Sequence, residues 1–207
     1  MLGEKFKAFR VGAFEATTQY KAVIESIVVR KRKRKSIVNV LSDKGDLVYK
    51  LVFDYFMWSE GEFRRKFSSL RNETTAGNVG PDALPQLARI DFADPYHYLS
   101  VISLFELQHC LEHFENYPCM PGLSLYRIQA LEAERWLQEM QVTPLSGRPI
   151  IDELIIHSNK IMPAETPYAV HTSVSRWSLQ ILQFRQKVVA IDNADMVYTV
   201  IIFDVHV

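Results

Sequence analysis

Only two of the 207 residues are cysteine, Cys110 and Cys119. That is too few for a disulfide framework, so nothing ties the chain to an oxidising compartment. Glycine is scarce, eight in all. Neither G-x-x-x-x-G-K-[ST] nor G-x-G-x-x-G occurs, which argues against the common phosphate-cradling loops. There is no G-x-S-x-G elbow and no cysteine pairing of a zinc-ribbon type. No stretch of roughly 18 apolar residues is present, so no membrane-spanning helix is expected. The start of the chain, Met1 to Phe6, lacks the apolar core of a signal peptide, and its glycine is third, not second as myristoylation requires. These absences lead to the expectation of a cytoplasmic protein without a cofactor.

What is present is ordinary in amount and uneven in placement. Hydrophobic residues make up 48% and charged residues 23%, enough to bury a core without metals or disulfides. The net charge is zero, but residues 1–70 carry 15 Lys and Arg against 8 Asp and Glu, and residues 71–207 carry 9 against 16. A chain polarised in this way can bind a polyanion with one half, or associate head to tail with its own copies.

No internal repeat or low-complexity segment is visible. The order of periodicities is strands, then helices, then strands, which indicates α+β. The expected organisation is one globular domain: strand-rich 1–67, a loop at 68–93, helical 94–140 and strand-rich 148–207. In the first part, runs at Phe6–Phe14, Tyr20–Val29, Ser36–Leu41 and Asp46–Phe56 read as strands. The last two are joined by a glycine-containing turn, Ser42-Asp43-Lys44-Gly45. Leu47, Tyr49, Leu51, Phe53 and Tyr55 alternate onto one face. Asp94 before Pro95 has the form of a helix start, and Leu99, Leu104, Leu107, Cys110, Leu111, Phe114 and Tyr117 follow a helical stripe. A second helix is predicted over Ser124–Met140, with Leu125, Tyr126, Ala130, Ala133, Trp136, Leu137 and Met140 as its apolar face. Ile150–Ile156 reads as a strand, as do the alternation at Trp177, Leu179 and Ile181 and a closing hairpin turning at Asp192–Asp195. The sum is a mostly antiparallel sheet of about seven strands with a central antiparallel helix pair packed on it.

Two local patterns suggest chemistry. Arg30, Lys31, Arg32, Lys33, Arg34 and Lys35 are six consecutive cations, costly to hold together unless water, salt or a polyanion screens them. They form either a hairpin tip or one extended strand, and Arg64, Arg65 and Lys66 extend the patch if the fold brings them near. Contact with RNA or DNA backbone is the leading reading. Nuclear import, an anionic membrane surface and a solvated tip are the rivals. The second pattern, His109 to His113, matches H-x-x-E-H, a zinc motif of one metalloprotease class. Histidines four residues apart on a helix can share a metal, with Glu106 as a third ligand. Without a nucleotide, cofactor or triad motif, the sequence points first to a non-enzymatic nucleic-acid-binding protein. A protein-interaction or self-assembling component comes second, and a metal-dependent hydrolase third.

Overall fold

The computed structural model describes residues 2–15, 19–72, 84, 87–102, 106, 110, 116–120, 122–144 and 149–207. Among them are ten strands, all in one antiparallel sheet. In chain order they are β1 (Leu2–Arg10), β2 (Tyr20–Arg30), β3 (Lys33–Ser42), β4 (Leu47–Phe56), β5 (Leu87–Asp94), β6 (His97–Ile102), β7 (Ile150–Ser158), β8 (Tyr168–Arg176), β9 (Ile181–Ala190) and β10 (Asn193–His206). Two α-helices accompany them, α1 (Glu60–Lys66) and α2 (Gly122–Glu139). The sheet runs β2-β3-β4-β1-β7-β10-β9-β8-β6-β5.

That order contains a topological repeat. The first half runs β1-β4-β3-β2 outward from the centre, and the second runs β7-β10-β9-β8 outward in the other direction. The halves meet where β1 pairs antiparallel with β7, Lys5 opposite His157 and Phe9 opposite Glu153. Corresponding strands therefore sit in corresponding places about an approximate two-fold at this seam. Their side chains are not matched. Phe53 of β4 stands opposite Ser36, whereas Phe203 of β10 stands opposite Phe184.

The core lies between α2 and the second half of the sheet. Along α2, Leu125, Ile128, Ala133, Trp136 and Leu137 are buried, at the three- and four-residue spacing of one helix face. Trp136 meets Phe184 edge to face at 5.5 Å, Tyr126 meets Phe203 at 6.4 Å, and Phe184 stacks on Phe203 at 5.2 Å. β10, apolar on both faces, lies inside the sheet between β7 and β9. Cys110 and Cys119 are buried free thiols, each pushed up to about 12 by burial. No helix is long and apolar enough to cross a membrane among the described residues.

The predicted fold class is corrected here. The sheet has ten strands where seven were expected, and among the described residues there is no central helix pair: the only α-helices there are α2 and the seven-residue α1. The expected helix beginning at Asp94 starts as β structure instead. β5 and β6 form a hairpin, and the Asp94 carboxylate accepts from the Tyr96 N–H at 2.8 Å. An Asp-Pro pair closes such a turn as readily as it opens a helix. In β6 the alternating buried residues are Tyr98, Ser100 and Ile102; the buried serine hides the two-residue period. The rest of that expected helix, apart from Glu106, Cys110 and Asn116–Tyr117, lies outside the described residues. Trp177 and Leu179 belong to no strand: they are the exposed tip between β8 and β9. The expected loop at 68–93 already holds the start of β5. The strand expected at Phe6–Phe14 is displaced toward the start of the chain, β1 ending at Arg10 with residues 11–14 outside any strand, and Gly45 takes φ +87° in the β3–β4 turn.

Candidate functional site

A polar layer is enclosed between α2 and the sheet. From the helix come Gln129 and Glu132, both buried and both within the apolar stripe. From the sheet come Tyr98 and Ser100 of β6, Thr172 of β8 and Gln186 of β9, all buried. Register places them together: Tyr98 stands opposite Thr172, and Thr172 opposite Gln186. Gln186 shares a sheet face with Phe184, which touches Trp136 of α2, so this row faces the helix.

The charged member of the layer is anchored from the sheet edge. The Arg89 guanidinium of β5 donates to both Glu132 and Glu139 of α2 and reaches the Glu132 carbonyl at 3.4 Å. Its flat face lies over the Tyr98 ring, 4.8 Å from the centroid, a favourable cation–π position. Burial pushes the Glu132 carboxyl up, and Arg89 beside it only partly pulls it back. Arg89 is itself penalised by burial, but its bonds to Glu132 outweigh that and hold it above its ordinary value. The Tyr98 hydroxyl is driven up by burial and then by the Glu132 charge.

The amides are what make this layer unusual. Both amide atoms of Gln129 and both of Gln186 are buried without a hydrogen-bond partner among the described residues, and so is the Ser100 hydroxyl. A buried polar group left unpaired costs about 1–3 kcal/mol. Their concentration in one layer, five such atoms from Gln129, Gln186 and Ser100, is consistent with a held water or polar ligand. Two carboxamides, two hydroxyls and a carboxylate of raised proton affinity form a set able to grip a carbonyl oxygen and a water.

The sites expected from sequence fall elsewhere. Arg30 to Lys35 form the end of β2, the turn at Lys31 and Arg32, and the start of β3, with Lys31 at φ 53°. The run is thus the tip of a hairpin, the first of the two geometries considered. α1 does lie against it: the Met57 N–H donates to the Arg32 carbonyl at 2.7 Å, and Arg32 pairs with Glu62 at 2.7 Å. Arg64 is tied to Glu60, and Lys66 covers the Trp58 ring at 4.3 Å, leaving Arg65 as the helix's exposed cation without such a contact. His109 and His113 lie outside the described residues, and Glu106 is exposed. Among the described residues no group of three or more metal-ligating side chains occurs. Sequence reading missed Gln129, Glu132, Thr172, Gln186 and Arg89. The available signal was two polar residues at core positions of the α2 stripe, at 129 and 132.

No protein-family model matches the sequence, and no curated protein matches it. Solved structures do match. A 12:0-ACP thioesterase from Umbellularia californica aligns over 99% of this chain and 72% of its own, with TM-score 0.61 and 8% identity. An acyl-CoA thioesterase II, TesB2, from Mycobacterium marinum aligns over 99% and 80%, with TM-score 0.52 and 10% identity. A protein described by its hot dog fold, from Alicyclobacillus acidocaldarius, aligns over 99% and 78%, with TM-score 0.52 and 9% identity. At these identities the likeness establishes the fold, a hot-dog sheet repeated. It also stands against the expectation of a non-enzymatic nucleic-acid binder, since two of these structures that share the fold are named as thioesterases and none as a nucleic-acid binder.

Proposed function

We propose that this chain hydrolyses acyl thioesters in the polar layer beneath α2. The observation that carries the reading is the pair of orphaned amides, Gln129 and Gln186, buried on facing elements. The names of the structural neighbours supply the substrate class. One amide N–H donates to the thioester carbonyl oxygen, where negative charge builds as water adds to the carbon. The other amide and the Thr172 hydroxyl hold that water. Glu132, one helical turn from Gln129 on the same face, accepts the water's proton, and burial suits it to this by raising its affinity for protons. The carbon–sulfur bond then breaks, and the leaving thiolate takes the proton from Glu132. The products are a carboxylic acid and a thiol.

The test is release of free thiol from acyl-coenzyme A and acyl-carrier-protein thioesters of graded chain length. Gln186→Met keeps the volume and removes the donor. It is expected to lower kcat by about 100-fold or more, with Gln129→Met behaving alike. No thiol release from any thioester, or full activity in both variants, overturns the reading.

A further inference from the structure

On the face of the sheet away from α2, an open groove of about 620 Å³ runs beside the β2–β3 hairpin. Register decides which side chains enter it. Lys5 stands opposite both His157 and Asp54, Asp54 opposite Lys35, Lys35 opposite Val28, and Lys33 opposite Arg30. Each alternates with a neighbour on the α2 side, such as Phe6, Ile156, Phe53, Ser36 or Ile27, so this set leaves on the outer face. With Arg34 at its margin, the lining holds five Lys and Arg against two carboxylates, Glu4 and Asp54. Glu4 is taken by Lys33 at 3.0 Å. Lys5, Arg30 and Lys35 have no ion-pair partner among the described residues. His157 registers the surplus: burial lowers its proton affinity first, and the charges of Lys5 and Lys7 lower it further.

We propose that this groove binds the phosphates of a small organic polyphosphate of the nucleoside diphosphate class. The charge matches: a lining with three more cations than carboxylates meets a terminal diphosphate carrying roughly three negative charges. The volume falls in the range of small-molecule sites. The exposed Val28 and the His157 ring offer surface to a planar base. A nucleic-acid strand would need a continuous row of cations beyond the groove, and there Arg32 and Arg64 are engaged by Glu62 and Glu60, which interrupts the row between Lys31 and Arg65. The groove and the polar layer lie on opposite faces, so this assignment stands or falls apart from the thioesterase reading.

Calorimetric titration of the full chain with ADP, AMP and inorganic pyrophosphate tests it, alongside the variant Arg30→Gln/Lys35→Gln. Both substituted residues are exposed cations without ion-pair partners, and circular dichroism checks that the variant folds. ADP is expected to bind at one site, more tightly than AMP, and about tenfold or more weakly in the double variant. By NMR, ADP should raise the pH at which His157 titrates, because the bound phosphates offset Lys5 and Lys7. Absence of ADP binding at low salt, equal affinity in the variant, or an unmoved His157 would each overturn the site. So would oligonucleotides that bind more tightly than ADP and ever more tightly with length.

Discussion

Arg89 and Glu132, 43 residues apart in the chain, form an ion pair whose side chains are only 2% and 4% exposed. The pair fastens the edge strand β5 to the helix that roofs the polar layer. Breaking it from one side leaves a charge buried alone, which typically costs 3–5 kcal/mol, whereas replacing both partners by apolar groups is often nearly neutral. Arg89→Met should therefore lower stability by about 3–5 kcal/mol in urea unfolding. Arg89→Met/Glu132→Met should recover most of that loss.

The same pair sets a dependence on pH. Glu132 has a higher proton affinity folded than unfolded. Ionising it thus disfavours the folded chain, and its cost is absent below the ordinary carboxylate range and grows as pH rises through that range to the raised value. Arg89 limits this cost. Without Arg89 the window widens upward, so the stability of Arg89→Met should fall with rising pH more steeply than that of the wild type. Urea unfolding across a pH series reads this directly.

The orphaned amides imply a trade between stability and function. Gln129→Met and Gln186→Met each remove buried groups that lack partners and substitute an apolar chain of similar volume. Each should stabilise the fold, by about 1–3 kcal/mol at most, while thiol release falls. A thermal melt paired with the activity assay separates this outcome from simple misfolding, which would lower both.

Gly12 marks the exit of β1. Its N–H donates to the Val48 carbonyl at 3.3 Å, and a side chain at this position would run into the Leu47 carbonyl oxygen. Because backbone is what it meets, no rotamer change relieves the clash. Gly12→Ala should cost about 1–3 kcal/mol, measured by the midpoint of chemical unfolding.

The outer edge strand β2 exposes apolar side chains on both faces. Ile24 is 62% exposed and Ile27 53% on one face, and Val28 is 45% exposed on the other. Long apolar edges invite pairing with other chains. Ile24→Lys/Ile27→Lys should leave stability within about 0.5 kcal/mol and reduce association seen by light scattering as concentration rises. No change in association would show that β2 takes no part in it.

Local chemistry was readable where one short segment carried all of it. The strands at Tyr20–Arg30 and Leu47–Phe56, the glycine turn between β3 and β4, and the helix α2 follow from periodicity and turn residues alone. The β5–β6 hairpin was not readable, because Asp94-Pro95 serves both turn and helix and Ser100 interrupts the apolar alternation of β6. Nor was the polar layer: Gln129, Thr172 and Gln186 come from three elements, and their meeting depends on strand order. The cations of the hairpin tip were conspicuous for the opposite reason, being consecutive in the chain.

The β1–β7 seam has a consequence for the order of assembly. β2, β3 and β4 fold back on one another through short turns, as do β8, β9 and β10, so each half can gain most of its ladder from neighbours in the chain. The seam joins Lys5 to His157; with β1 already paired to β4, the segment left to close runs from Phe56 to Ile150, and the entropy of that closure must be met before its contacts repay it. Joining the halves is accordingly the step expected to limit the rate of folding. Until it is complete, the strand edges that become the middle of the sheet are bare, and crowding at that moment is when exchange of halves between molecules competes with correct closure.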